Sequence, residues 1–119
     1  MGKHLLLVDD DRAFTAVASV MLRNSGIDVT IVHTAAEALT AFQSQTFDVI
    51  VSDLLLPGVD GIALAQKLQA DVSDSRVLPL LLAVSNHDRH LHQLALDSGY
   101  QACFDKIDFD RLLRYLQER

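Results

Sequence analysis

Cysteine is nearly absent: Cys103 is the single one in 119 residues, so no internal disulfide can form, and a reducing compartment fits. Long apolar runs are missing too. None approaches the roughly 18 residues needed to span a bilayer. The run Leu5-Leu6-Leu7-Val8 is too short for a signal-peptide core and meets acids at once. Gly2 does not open a myristoylation signal, because position 6 is Leu rather than Ser or Thr. Positive charge is scarce as well: 10 basic residues face 16 acidic ones, for a formal net charge of −6 and a pI near 5.1. Phosphate backbones attract clustered Lys and Arg, so nucleic acid is not expected as a direct partner. Repeats, low-complexity tracts and linkers are also lacking. The expectation is a cytoplasmic protein without membrane insertion. Its length suits one domain over residues 1–119, with no room for an output domain, and suffices for a core without staples.

What is present is an alternation of short apolar runs and amphipathic stretches. Leu5 to Val8 reads as a strand covered on both faces. Phe14, Val17, Ala18, Met21 and Leu22 are spaced as one helix face, and Gly26 can close that helix in a left-handed cap. Ile27 to Val32 is rich in β-branched residues and predicts a second strand. Ala35, Ala38, Leu39 and Phe42 form another helical stripe. Val49 to Val51 is a third strand, ending at Ser52-Asp53, and the turn Pro57-Gly58-Val59-Asp60-Gly61 follows. Ile62, Ala65 and Leu68 mark a third helix. Leu78 to Val84 predicts strand four, and Leu91, Leu94 and Ala95 a fourth helix. Ala102 to Phe104 predicts strand five, and Phe109, Leu112, Leu113 and Leu116 the last helix. Five strands alternating with five helices predict an α/β fold: a parallel sheet with helices on both faces.

In such sheets ligands bind beyond the carboxyl ends of the strands. Strand one ends at Asp9-Asp10-Asp11 and strand three at Asp53. Strand four ends at Ser85-Asn86, and strand five runs into Asp105-Lys106. Carboxylates gathered on one rim repel, and a divalent cation relieves the repulsion. Mg2+ takes hard oxygen ligands, keeps several waters and neutralises a transferring phosphoryl group. A carboxylate beside it can attack phosphorus and become an acyl phosphate. Ser85 can donate to a phosphoryl oxygen, and Lys106 can pair with another as a point charge.

These segments carry a family resemblance. Leu5 to Asp11 is similar to the opening acidic motif of response-regulator receiver domains. Val51-Ser52-Asp53-Leu54-Leu55-Leu56-Pro57-Gly58-Val59-Asp60-Gly61 resembles their phosphoacceptor segment, and Ser85 and Lys106 stand where that family has a hydroxyl and a lysine. The resemblance covers nearly the whole chain, in the right order and spacing. It implies a flavodoxin-like five-stranded sheet of order 2-1-3-4-5. It implies that Asp53 accepts a phosphoryl group from a histidine kinase or histidine phosphotransfer protein. Mg2+ would be held by Asp9, Asp10, Asp53 and the backbone carbonyl of Leu55, with Asp10 as a direct ligand. A downstream protein would meet the face made by the fourth helix, fifth strand and fifth helix.

Three positions depart from the family pattern. Ile107 follows Lys106 where a cis-proline is usual, leaving either a trans loop with a different lysine approach or stored strain. Cys103 replaces the switch aromatic, with Phe104 expected on the opposite side of the strand. Asn86 replaces a small residue after the hydroxyl. Leu55 and His87 fall where relatives tune loss of the phosphoryl group. The expectation is a phosphorylated Asp53 with an unusual relay.

Structural readings account for other residues. Asp11 and Asp60 suit helix caps and Gly61 helix packing. The histidines at 87, 90 and 92 suit a solvated face, Cys103 suits a small buried residue, and His4 and His33 carry no signal. Two other functions fit less well: a degenerate receiver that only binds, and a small Mg2+-dependent phosphohydrolase using an aspartate after strand one. An acceptor that phosphorylates itself, with autodephosphorylation, is expected rather than a turnover enzyme.

Overall fold

Four successive apolar residues make a strand only if both its faces are covered, and in β1 (His4–Val8) Leu5, Leu6, Leu7 and Val8 are all 1% exposed or less. This comes from a computed structural model that describes residues 3–53, 80–84, 93, 96–97 and 102–118, the side chains at 80–84, 102 and 107 excepted. Helix α1 (Arg12–Asn24) starts where the Asp11 carboxylate accepts the Phe14 N–H at 3.1 Å, which is the capping role read from the sequence. It ends at Asn24 with Ser25 as its cap, and Gly26 just beyond takes a φ of +82°, which an L side chain would resist. Strand β2 (Asp28–Val32) pairs with β1 in parallel, His4 opposite Asp28.

Helix α2 (Ala35–Ser44) opens with a reciprocal cap. The Glu37 N–H donates to Thr34 Oγ1 at 3.1 Å, and Glu37 Oε1 accepts from the Thr34 hydroxyl at 3.3 Å and from the His33 N–H at 3.0 Å. Those contacts, the His33 N–H first, hold the Glu37 carboxyl below its ordinary pKa. Thr34→Ala is expected to lower stability by about 1 kcal/mol, read as a shifted midpoint in denaturant with an unchanged slope.

Strands β3 (Val49–Ser52), β4 (Leu80–Val84) and β5 (Ala102–Asp105) complete a five-stranded parallel sheet of order β2-β1-β3-β4-β5. The order reverses between β1 and β3, which makes their carboxyl ends the switch point of the sheet. A 3₁₀ turn (Lys106–Asp108) leads into α3 (Phe109–Gln117), the fifth helix expected from the sequence.

Successive strand side chains alternate between faces. Leu5, Leu7, Val49 and Val51 join Ala18 and Leu22 of α1 and Phe109, Leu112, Leu113 and Leu116 of α3 in one core. Leu6, Val8 and Ile50 lie one residue out of phase and are fully buried on the other side of the sheet. Phe104 packs on the α3 side, its ring 5.4 Å from that of Tyr115.

Two helix faces differ from the expected stripes. In α1, Val17 is 62% exposed, while Thr15 and Ser19 are buried in its stead. Their hydroxyls donate to the carbonyls of Arg12 and Ala16, so both can enter the interior without losing a partner. In α2, Ala35, Ala38 and Ala41 form the fully buried line, and the larger Leu39 and Phe42 lie half-buried beside it.

Candidate functional site

Each acidic residue of the candidate site sits where a strand stops. The Asp9 N–H continues the ladder by donating to Val32 O at 3.1 Å, and the Asp53 N–H donates to Val8 O at 2.9 Å. The ends of β2, β1 and β3 are thus stitched in series. This brings one carboxylate oxygen each from Asp9, Asp10 and Asp53 within 4.8 Å of one another. Asp9 is buried, Asp53 intermediate and Asp10 exposed, so the cluster runs from the interior to the solvent.

Lys106 enters from the end of β5. Its Nζ lies 2.7 Å from Asp9 Oδ2 and 3.1 Å from Asp53 Oδ2. The Phe14 ring lies under the same ammonium, 4.8 Å from its centroid, adding a cation–π contact. Among the described residues no peptide bond is cis, and Ile107 lies within the 3₁₀ turn. The lysine reaches the acids from that backbone, which answers the question raised by the missing proline.

The electrostatics are lopsided. Burial raises the Asp9 carboxyl, and the nearby Asp53 charge adds to this. Hydrogen bonds from Lys106 and from the Asp11 N–H pull the other way, and the net direction is upward. For Lys106, burial lowers the ammonium, but its hydrogen bonds to Asp9 and Asp53 and their charges outweigh that, and its pKa is raised. The pair therefore secures the lysine proton without restoring Asp9 to the ease of ionisation it has in water. With all groups ionised, three carboxylates and one ammonium leave two negative charges over.

Cys103, on the strand that carries Lys106, is partly buried, and desolvation with the Asp105 charge pushes its thiol up to about 11. It is mostly protonated at neutral pH and therefore a weak nucleophile there. Cys103 is expected to react with iodoacetamide more slowly than a free thiol does, with the rate rising through the alkaline range. A neutral-pH rate equal to that of a free thiol would contradict this.

The structure thus brings together Asp9, Asp10, Asp53 and Lys106. Ser85, Leu55, Asn86, Asp60, Gly61 and the histidines at 87, 90 and 92 lie outside the described residues. Two participants were missed in the sequence. Phe14 appeared only as part of a helix stripe, although its place three residues after the Asp11 cap puts it over the strand ends. His33 appeared to carry no signal, yet its Nδ1 lies 2.8 Å from the Asp9 carbonyl oxygen.

A parallel α/β sheet with an acid cluster and a lysine at its switch point defines a class of small signalling modules. The family model for the response regulator receiver domain matches residues 5–117, and the chain belongs to that family of two-component receiver domains. Among curated relatives, the DNA-binding response regulator MtrA of Mycolicibacterium paratuberculosis is 31% identical over 99 residues, or 83% of this chain and 42% of MtrA. The chain therefore spans under half the length of that relative. Among solved structures, the receiver domain of the Francisella response regulator 1452 is similar with a TM-score of 0.88 and 24% identity, covering 98% of this chain and 95% of that one. The Thermotoga maritima response regulator TrrA, solved in complex with Mg(2+)-BeF, is similar with a TM-score of 0.84 and 21% identity, over 98% and 97% of the two chains. Both likenesses are likenesses of fold. No helix among the described residues is long and apolar enough to cross a membrane.

Proposed function

We propose that this receiver accepts a phosphoryl group on Asp53, from a phosphohistidine of a histidine kinase or phosphotransfer protein, in a Mg2+-dependent step. The observation that carries this is the meeting of Asp9, Asp10 and Asp53 at the switch point, with Lys106 between two of them. The donor set suits the metal: its side-chain ligands are all hard oxygens, their charge together with that of Lys106 is two negative, and their span of up to 4.8 Å leaves room for an ion that keeps its own waters. TrrA, with its Mg(2+)-BeF complex, supports the same reading by fold. When bound, the ion supplies charge neutralisation for the transferring phosphoryl group.

The chain's own residues do the rest. Asp9 and Asp10 hold the ion's side of the cluster. A carboxylate oxygen of Asp53 forms the new O–P bond as the N–P bond of the donor breaks, and the leaving imidazole nitrogen takes up a proton from solvent. Lys106, already 3.1 Å from Asp53, keeps its proton and stays beside the carboxylate as it becomes an acyl phosphate. Ser85 and the Leu55 carbonyl complete the proposed set, Ser85 as a hydrogen-bond donor to a phosphoryl oxygen and the carbonyl as a metal ligand. A downstream protein is assigned to the face containing β5 and α3. The proposed module is a single domain that acts as an acceptor and switch.

The test is intact mass after incubation with a small acyl-phosphate donor. The expected result is a gain of about 80 Da with Mg2+, the mass of one phosphoryl group, and none with EDTA. A protein that only binds gains nothing in either condition. A phosphohydrolase releases phosphate continuously without holding the adduct. Either outcome contradicts the proposal.

A further inference from the structure

Asp9 is gripped at both of its backbone groups by the end of β2. Its N–H donates to Val32 O, as an extension of the strand ladder. Its carbonyl accepts from the His33 ring at 2.8 Å, through Nδ1. A carbonyl oxygen has no hydrogen to give, so Nδ1 carries the proton. Strand pairing does not require this contact, because it comes from a side chain beyond the last residue of β2.

The clamp has a firm base. The His33 N–H donates to Glu37 Oε1, the carboxylate already engaged in the cap of α2. The His33 backbone is thus tied to the start of a helix rather than to a loose loop. At its other end the contact acts on a rigid unit. The carbonyl of Asp9 and the N–H of Asp10 share one peptide plane, so fixing that carbonyl fixes the direction from which Asp10 departs. Asp10 is the exposed member of the cluster. The Asp9 carboxylate is fixed separately, Oδ1 by the Asp11 N–H at 2.9 Å and Oδ2 by Lys106.

We propose that His33 is a positioning residue of the acidic cluster: its Nδ1–H holds the Asp9–Asp10 peptide plane so that both carboxylates face one divalent cation. This rests on the Mg2+ reading above and names a residue that the reading did not contain. Groups behind metal ligands typically change affinity by about 10–100-fold when removed.

The test compares wild-type, His33→Ala and His33→Asn proteins. The side-chain amide nitrogen of Asn lies as many bonds from the backbone as His Nδ1 does, so it can donate to the same carbonyl, and Ala cannot. Mg2+ affinity by calorimetry is expected to fall about tenfold in His33→Ala and to return most of the way in His33→Asn. Thermal unfolding of all three proteins identifies any variant that fails to fold. Binding by folded His33→Ala equal to wild type overturns the proposal, as does a folded His33→Asn protein weakened as far as His33→Ala. A metal-free arm uses 15N spectra of the histidine rings, where His33 is expected to show a protonated Nδ1. An unprotonated Nδ1 overturns the clamp and leaves the proposed function standing. Wild-type protein that binds no Mg2+ contradicts the proposed function, and this proposal with it.

Discussion

Asp53→Asn protein is expected to gain no mass from an acyl-phosphate donor and Mg2+ under conditions where the wild type gains about 80 Da. The substitution keeps the shape and the backbone hydrogen bond to Val8, so the fold should survive, but an amide oxygen is a far weaker nucleophile than a carboxylate. Asp9 cannot stand in. Its side chain is 1% exposed, and Lys106 already engages it at 2.7 Å. Ser52 is also 1% exposed, and its hydroxyl donates to the Asp53 carbonyl. A comparable adduct in Asp53→Asn, mapped by peptide fragmentation to Asp9 or Asp10, would sink the assignment of Asp53.

Asp9→Asn should act in two opposite directions. Removing a proposed ligand carboxylate is expected to weaken Mg2+ binding by at least ~100-fold, or about 2.8 kcal/mol. The metal-free protein should nevertheless become more stable at neutral pH. Burial and the Asp53 charge raise the Asp9 pKa in the fold, so the folded state prefers its protonated form. A raised folded value contributes stability that is complete below the unfolded value near 3.8 and is lost as pH rises through the folded value. At neutral pH the wild type has lost that contribution, while Asn, always neutral, has not. The expected result is a gain in stability at neutral pH that shrinks toward zero near pH 4. Denaturant unfolding at both pH values measures it. A variant less stable than wild type at neutral pH would mean that the Lys106–Asp9 pair outweighs the cost of burying the carboxylate. Added Mg2+ should stabilise the wild type and leave the variant unmoved.

The acid cluster was legible because its information is local. An apolar run followed at once by acids states both where a strand ends and what ends it, and a parallel sheet sends all such ends to one rim. Asp9, Asp10, Asp53 and Lys106 needed nothing more. The buried face of α3 was legible for a similar reason: Phe109, Leu112, Leu113 and Leu116 are large, and there is one way to cover them. The face of α1 was harder to read. Thr15 and Ser19 look polar in sequence, but each satisfies its hydroxyl within the helix and is buried, while Val17 turns outward.

Contacts between segments left no local mark. His33 matters because β2 lies beside β1, and its ring direction depends on a side-chain torsion and on the Glu37 carboxylate four residues on. Phe14 lies under Lys106 across 92 residues of sequence, and no periodicity announces that pairing. Cys103 was read both as a missing aromatic and as a small buried residue; the structure finds it partly buried, and the raised thiol pKa follows from that desolvation and the Asp105 charge, though the extent of burial is set by the fold.

The most direct test of the account is a Mg2+ titration of the metal-free wild-type protein followed in backbone 15N–1H spectra. Saturable shifts are expected first and largest at the amides of Asp9, Asp10, Asp11 and Asp53 and at Lys106, with the opposite end of the sheet around His4 and Asp48 unmoved. No saturable shift, or shifts centred away from Asp9 and Asp53, would contradict the claim that these carboxylates together form the seat of a divalent cation.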